Sequence, residues 1–126
     1  MAGRESLPLS QLKKLQPLNR LTDDQLVLLA HRAERRQYAP GQKIARRGVR
    51  DGLDYYLLQG AVELTAADGR SSSIESGTEK ALNAIAKLQP RIYDVTATRP
   101  SEFLVIEQDV LVQLLRSAPV QQVEMD

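Results

Sequence analysis

The chain has 126 residues, 17 basic and 16 acidic, so its formal charge is +1 and no global field attracts nucleic acid or anionic membrane. It has no cysteine and one histidine, which excludes disulfides and thiolate metal sites and disfavours a zinc or iron enzyme. Because no segment approaches the roughly 20 apolar residues of a membrane span, we expect one cytoplasmic domain over residues 1–126, without a membrane partner.

The N-terminal third predicts helices. A three-residue spacing of apolar side chains predicts a short helix and turn within residues 7–19, and it is formed by Leu9, Leu12, Leu15 and Leu18. Thr22 then fits an N-cap with Gln25 as its capping-box partner, ahead of a second helix. We therefore expect a helical lead-in over residues 7–33.

From residue 34 the pattern changes to short apolar segments separated by glycines. Turn signals recur about every 8 to 12 residues, which is typical of an all-β sandwich or barrel. Residues 58–62 and 67–70 predict tight hairpin corners. We expect a mostly β fold, a jelly-roll-like β-roll (a double-stranded β-helix), over residues 34–107.

Two further helices are predicted in the second half of the chain. Leu82, Ile85 and Leu88 recur at helical spacing and predict a short inserted helix over residues 78–88. Strands are expected after it at residues 91–98 and 102–106. A C-terminal helix over residues 109–118 closes the predicted fold.

The segment around the inserted helix also predicts an anion site. Helix-start N–H groups, the helix dipole and the guanidinium of Arg91 would all favour a phosphate. The carboxylate of Asp94 opposes an anion if it points inward. Arg91 could instead pair with Asp94 or Glu79, or cap the inserted helix, and the residues alone leave these alternatives open.

The order of these elements resembles the cyclic nucleotide-binding domain family, of the catabolite-activator type, over about residues 15–118. The matching residues are Tyr38, Gly41, Ile44, Gly48, Tyr56, Gly60, Val62, Asp68, Gly69, Pro90, Arg91, Val95 and Ala97. The resemblance implies a non-enzymatic regulatory or sensory module of signal transduction, without catalytic residues. Its implied ligand is cyclic AMP, cyclic GMP or another anionic small molecule.

The family's phosphate-binding cassette has the form G-E-x-A-L, four residues, then P-R. Its helix-start N–H groups and arginine hold the cyclic phosphate, and its glutamate binds the ribose 2′-hydroxyl. Counted back from Pro90 without a gap, Ala81 takes the glycine position and Leu82 the glutamate position. A shifted frame with Glu79 as the acid needs a two-residue insertion. The resemblance thus implies a cradle formed by Ala81, Leu82, Asn83, Ala84 and Arg91, with Tyr93 shaping the pocket.

These departures predict weak or altered binding. A hydrogen bond between a carboxylate and a sugar hydroxyl contributes about 1.5–3 kcal/mol, and leucine cannot make it. The alternative is a ligand-free domain used for protein–protein interaction or dimerisation, with a second copy or an output domain as partner. No helix-turn-helix follows and aromatic residues make up only 4% of the chain, so nucleic acid is disfavoured as a partner and no DNA-binding domain is expected.

Overall fold

The structure, a computed structural model, describes residues 7–117. The α-helices of this part of the chain are α1 (Leu9–Leu12), α2 (Asp23–Arg32) and α3 (Gln108–Ser117). Its first four strands are β1 (Glu34–Tyr38), β2 (Lys43–Ala45), β3 (Leu53–Gln59) and β4 (Ala61–Ala66). The remaining strands are β5 (Ser71–Glu75), β6 (Tyr93–Ala97) and β7 (Ser101–Glu107). Two 3-10 turns lie at Leu18–Arg20 and Glu79–Leu82. None of the described helices is long and apolar enough to cross a membrane.

The strands form two antiparallel sheets, in the orders β1-β7-β3 and β2-β6-β4-β5. Together they form the predicted jelly-roll-like β-roll, with helices at its flanks. The predicted hairpin at residues 67–70 is confirmed, because it joins the paired strands β4 and β5. Residues 58–62 also turn tightly, but they join β3 and β4, which belong to different sheets. This turn is a corner between the sheets rather than a hairpin.

Alternation along the three-stranded sheet divides the apolar core into two clusters. Phe103 and Val105 of β7 lie in the cluster between the sheets, which we call the roll core. Leu104 and Ile106 of the same strand face the opposite way, into a cluster with the N-terminal leucines and α3, which we call the helical core. From residue 103 to residue 106, both faces of β7 are therefore covered.

The capping box predicted for α2 is confirmed. The Thr22 hydroxyl accepts a hydrogen bond from the Gln25 amide at 3.2 Å, and the Gln25 side-chain oxygen accepts one from the Thr22 amide at 3.0 Å. These bonds satisfy two of the backbone donors that a helix start leaves without partners. The capping box thus fixes the residue at which α2 begins, on the outer face of the sheet β1-β7-β3.

The inserted helix is shorter than the prediction of residues 78–88, because only Glu79–Leu82 form a single 3-10 turn. Beyond it, Ile85 N donates to Tyr55 O at 2.8 Å, and Leu82 O accepts from Gln16 N at 2.8 Å. These tertiary hydrogen bonds use backbone groups that a longer helix would need for itself. The predicted C-terminal helix begins one residue earlier, at Gln108, and is followed to Ser117; residue 118 lies outside the described residues.

Candidate functional site

Arg91 lies near the end of the loop over residues 83–92, between the 3-10 turn and β6, which we call the cassette loop. Its side chain is fully buried, at 0% exposure. Its guanidinium meets the carboxylate of Asp51 with two N–H groups. Nη2 lies 2.8 Å from Asp51 Oδ1, and Nε lies 3.3 Å from Asp51 Oδ2. This two-pronged pairing is the geometry in which arginine also binds a phosphate. A protein carboxylate therefore already serves as the anion for Arg91.

The rest of the guanidinium is occupied as well. Nη1 donates to the carbonyl of Ala86 at 2.9 Å, and Nη2 also donates to the carbonyl of Leu53. The carbon of the guanidinium lies 5.2 Å from the ring centroid of Tyr55, within range of a cation–π interaction. With four of its five N–H donors used, Arg91 links its own loop, at Ala86, to the segment that leads into β3, at Asp51 and Leu53.

Asp51 is fixed by more than the arginine. Its Oδ1 accepts hydrogen bonds from Gln89 Nε2 at 3.0 Å and from the Leu53 amide at 3.1 Å, while its own amide donates to Gln89 Oε1 at 3.0 Å. Burial alone would raise the pKa of Asp51, but the hydrogen bonds from Arg91, Gln89 and the Leu53 backbone outweigh it and hold that pKa below the usual 3.8. Asp51 is therefore an anion at neutral pH.

The residues of the implied cradle are divided between the two cores. Ala81 is buried in the roll core, whereas Leu82 and Ala84 are half-buried against the helical core. Asn83 is exposed. The amides of Ala81 and Asn83 donate to the carbonyls of Thr78 and Lys80, at 3.1 and 3.2 Å. These amides are hydrogen-bonded within the turn, and they do not form a cradle of free N–H groups around Arg91.

The two residues after Arg91 that bear on the site lie on β6. Tyr93 is half-buried against the roll core. The carboxylate of Asp94 accepts a hydrogen bond from the Arg47 amide at 3.0 Å and lies 3.6 Å from Arg47 Nη1 and 3.7 Å from Lys43 Nζ. The Arg47 backbone hydrogen bond, against a small effect of burial, lowers the pKa of Asp94. Asp94 therefore lies with Arg47 and Lys43 rather than beside Arg91.

The alternative in which Arg91 pairs within the protein is right in kind, but its named partners are wrong. The carboxylate is Asp51, and neither Asp94 nor Glu79 contributes one. Asp51 stands 40 positions before Arg91, so no local spacing could have joined the two. The sequence offers one indication of this contact, because Asp51 and Gln89 both lie in segments between strands. No three side chains of the types that ligate metals converge within residues 7–117.

Comparison with known proteins supports the fold and the family. The model for "Cyclic nucleotide-binding domain" matches residues 35–118. The sensor domain of the transcriptional regulator DNR from Pseudomonas aeruginosa has a TM-score of 0.76 at 16% identity, over 89% of this chain and 83% of that one. A cyclic nucleotide-binding-like protein from Brucella abortus has a TM-score of 0.64 at 25% identity, over 86% of this chain and 97% of that one.

A longer structural neighbour is the regulatory subunit of a cAMP-independent protein kinase A from Trypanosoma cruzi, bound to guanosine. Its TM-score is 0.69 at 20% identity, over 86% of this chain but only 40% of that one. No curated protein matches the chain in sequence. The family model covers most of the chain, and the β-roll, the Pro-Arg segment and the flanking helices stand where the sequence predicts them. The chain belongs to the cyclic nucleotide-binding domain family.

Proposed function

We propose that the chain is a non-enzymatic regulatory module. Its Arg91, at the position of the family's phosphate-binding arginine, is occupied by the carboxylate of Asp51. Cyclic AMP and cyclic GMP then bind weakly or not at all through Arg91. The observation that supports this proposal is the two-pronged salt bridge between Arg91 and Asp51, with Arg91 fully buried. The module would transmit a change of state through the cassette loop and α3 rather than catalyse a reaction.

The energetics oppose a phosphate at this arginine. A cyclic phosphate would have to displace Asp51 from Arg91 and from Gln89, leaving that carboxylate to find other partners. Breaking a buried ion pair costs about 3–5 kcal/mol, and Asp51 is partly exposed, so the value here lies toward the lower end. Leu82, at the position of the ribose-binding acid, supplies no compensating hydrogen bond. A cost near 3 kcal/mol would weaken the binding of a cyclic phosphate by about two powers of ten.

A second candidate function is protein–protein interaction, with or without a ligand. Two neighbouring exposed aliphatic side chains of α2 favour it, Val27 and Leu28, at 43% and 57% exposure. Side chains of this kind commonly contact a partner chain when they lie together on one surface. Sedimentation of the chain across a range of concentrations would detect self-association, and Leu28→Glu should then abolish it.

Removing the charge of Asp51 tests whether its pairing with Arg91 prevents the binding of a cyclic nucleotide. We expect Asp51→Asn, which keeps the size of the side chain and removes its charge, to bind cyclic AMP at least about tenfold more tightly than the parent chain, measured by isothermal titration calorimetry. Asp68→Asn is the matched control, because it removes an aspartate paired with an arginine, Arg70, on the exposed surface. Folding of each variant is checked by circular dichroism.

Tight binding of cyclic AMP by the parent chain would contradict the proposal. A dissociation constant near 1 μM would stabilise the fold by about 2.7 kcal/mol at 100 μM ligand, a shift that thermal unfolding detects easily. If the parent bound cyclic AMP this tightly, with nuclear magnetic resonance shifts at Tyr55 and Tyr93, the arginine would be open to ligand. The proposal would then be wrong, whatever the effect of Asp51→Asn.

A further inference from the structure

A groove with a volume of about 720 Å³ borders the cassette loop. It runs between the lead-in, the loop over residues 83–89 and α3, and Arg91 does not line it. Its volume falls in the range of about 300–1,000 Å³ typical of small-molecule sites. The groove is thus large enough for an organic ligand that makes no use of the cassette arginine.

A buried carboxylate lines the groove. Asp54 on β3 is 6% exposed, and its Oδ1 accepts a hydrogen bond from Gln108 Nε2 at 2.9 Å. Within residues 7–117 no lysine or arginine forms a salt bridge with it, and burial raises its pKa above 3.8. Since an ionised carboxylate has about four acceptor positions, one neutral amide leaves Asp54 able to accept more hydrogen bonds. A ligand amino group would supply them.

The other charges that line the groove have the opposite sign. Arg20 follows the lead-in turn and Lys87 lies in the cassette loop, and both side chains are exposed. Neither forms a salt bridge with any residue of the described part of the chain. Two such cations beside one groove favour an anionic ligand group. Phosphate is a strong candidate, because its oxygens accept hydrogen bonds from lysine and arginine. The groove therefore offers an acceptor at Asp54 and cations elsewhere along its wall.

Apolar surface is also present in the groove. Leu88 of the cassette loop is 59% exposed and Val112 of α3 is 45% exposed, and both line the groove. Aliphatic side chains of this kind pack against the flat faces of an aromatic ring. A suitable ligand would combine a flat ring, an amino group on the ring edge and a phosphate.

We propose that this groove binds a purine nucleotide whose base carries an exocyclic amino group. The amino group donates to Asp54, the ring packs against Leu88 and Val112, and the phosphate pairs with Lys87 and Arg20. This site goes beyond the proposed function, because it needs neither Arg91 nor the cassette N–H groups. Adenosine and guanosine monophosphates fit the description, whereas inosine monophosphate lacks the amino group and adenosine lacks the phosphate.

The test is a calorimetric titration of the full chain with these nucleotides. Adenosine or guanosine monophosphate should bind at least about tenfold more tightly than inosine monophosphate, the ratio expected for one hydrogen bond to a charged acceptor. Adenosine should bind more weakly again. Resonances of Leu88 and Val112 should shift on binding, while those of Tyr55 and Tyr93 should not, which separates this site from the cassette.

Two variants test which residues contact the amino group and the phosphate of the ligand. Asp54→Asn should remove the preference for adenosine over inosine monophosphate, with Asp68→Asn as its control. Lys87→Ala, an exposed change that leaves the core intact, should weaken adenosine monophosphate about tenfold, whereas Lys80→Ala, outside the groove, should not. Absence of binding at millimolar nucleotide, equal affinities for adenosine and inosine monophosphates, or indifference to Lys87→Ala would each overturn the proposal. Cassette binding revealed by Asp51→Asn would leave it unaffected.

Discussion

Arg91 is a buried cation whose charge is balanced inside the fold. The sequence predicts an anion at Arg91, because a guanidinium close to a helix start favours one. What it could not predict is the identity of the anion. Asp51 reaches Arg91 through the packing of two loops, and such contacts have no local signature in the chain.

The Asp51 carboxylate should make the stability of the fold depend on pH in the acid range. Its pKa is lower in the folded chain than the usual 3.8, so the unfolded chain binds the proton more readily. The stability it contributes is therefore complete above about pH 4 and is lost as the pH falls through the folded pKa. We expect the difference in unfolding free energy between the parent chain and Asp51→Asn to shrink as the pH falls below 3.8 in urea titrations.

The surface pair of Asp68 and Arg70 provides the comparison for that experiment. Both side chains are at least half exposed, so solvent and salt screen their attraction. Asp68→Asn should therefore change the unfolding free energy much less than Asp51→Asn does. A similar pH profile for both variants would show that Asp51 contributes no more than a surface aspartate.

At the scale of elements, local patterns predict most boundaries. The capping box at Thr22 and the glycine-bearing hairpin at residues 67–70 are formed by contacts within a few residues, and both are confirmed. The leucine spacing of the inserted segment predicts a longer helix than the one that forms, because spacing carries no information about tertiary hydrogen bonds. The Tyr55 carbonyl binds Ile85 N, and the segment consequently leaves the helical path after Leu82.

The corner at Gly60 offers a prediction at this scale. Gly60 has φ +107°, and a Cβ there would lie 2.6 Å from the Pro100 carbonyl and would also meet Ser101 Oγ. Gly41 has a similar φ of +91°, but nothing lies within 4 Å of the position that a Cβ would take there. Both alanine variants incur about 1 kcal/mol for the left-handed backbone, and Gly60→Ala should lose a further 1–3 kcal/mol to the clash.

Urea denaturation of the two variants measures this difference directly. Gly41→Ala should shift the midpoint slightly, whereas Gly60→Ala should shift it several times as far. Equal losses would mean that the corner relaxes around the added methyl group and that the close approach of β3–β4 to the start of β7 is not rigid.

At the scale of the whole molecule, the helical core and the roll core are joined across one sheet. Tyr56 of β3 is 0% exposed in the helical core, and its hydroxyl donates to the Gln16 carbonyl at 2.8 Å. Its neighbour Tyr55 points the other way, into the roll core, and its ring meets Phe103 edge-on at 6.0 Å. Adjacent tyrosines thus contact the two cores from one strand, as strand alternation requires.

Removing the hydroxyl of Tyr56 or of Tyr55 should distinguish the hydrogen bond to the lead-in from the packing of the rings. Tyr56→Phe leaves the Gln16 carbonyl without this donor and should cost about 1–3 kcal/mol of unfolding free energy. Tyr55→Phe keeps its ring contacts and should cost less than that. Thermal unfolding of both variants, with hydrogen exchange at Gln16 and its neighbours, measures the effect. Equal stability of the two would show that the lead-in is held by apolar contacts alone.

The burial of β7 on both faces has a consequence for how the protein tolerates change. Most strands of a roll have one face on which substitutions matter little, and β5, with four of its five residues exposed, is such a strand. In β7, Phe103 and Leu104 stand next to each other and yet belong to different cores. Insertions, labels and fusion points therefore belong at β5, whereas a substitution at any residue from 103 to 106 of β7 disturbs one core or the other.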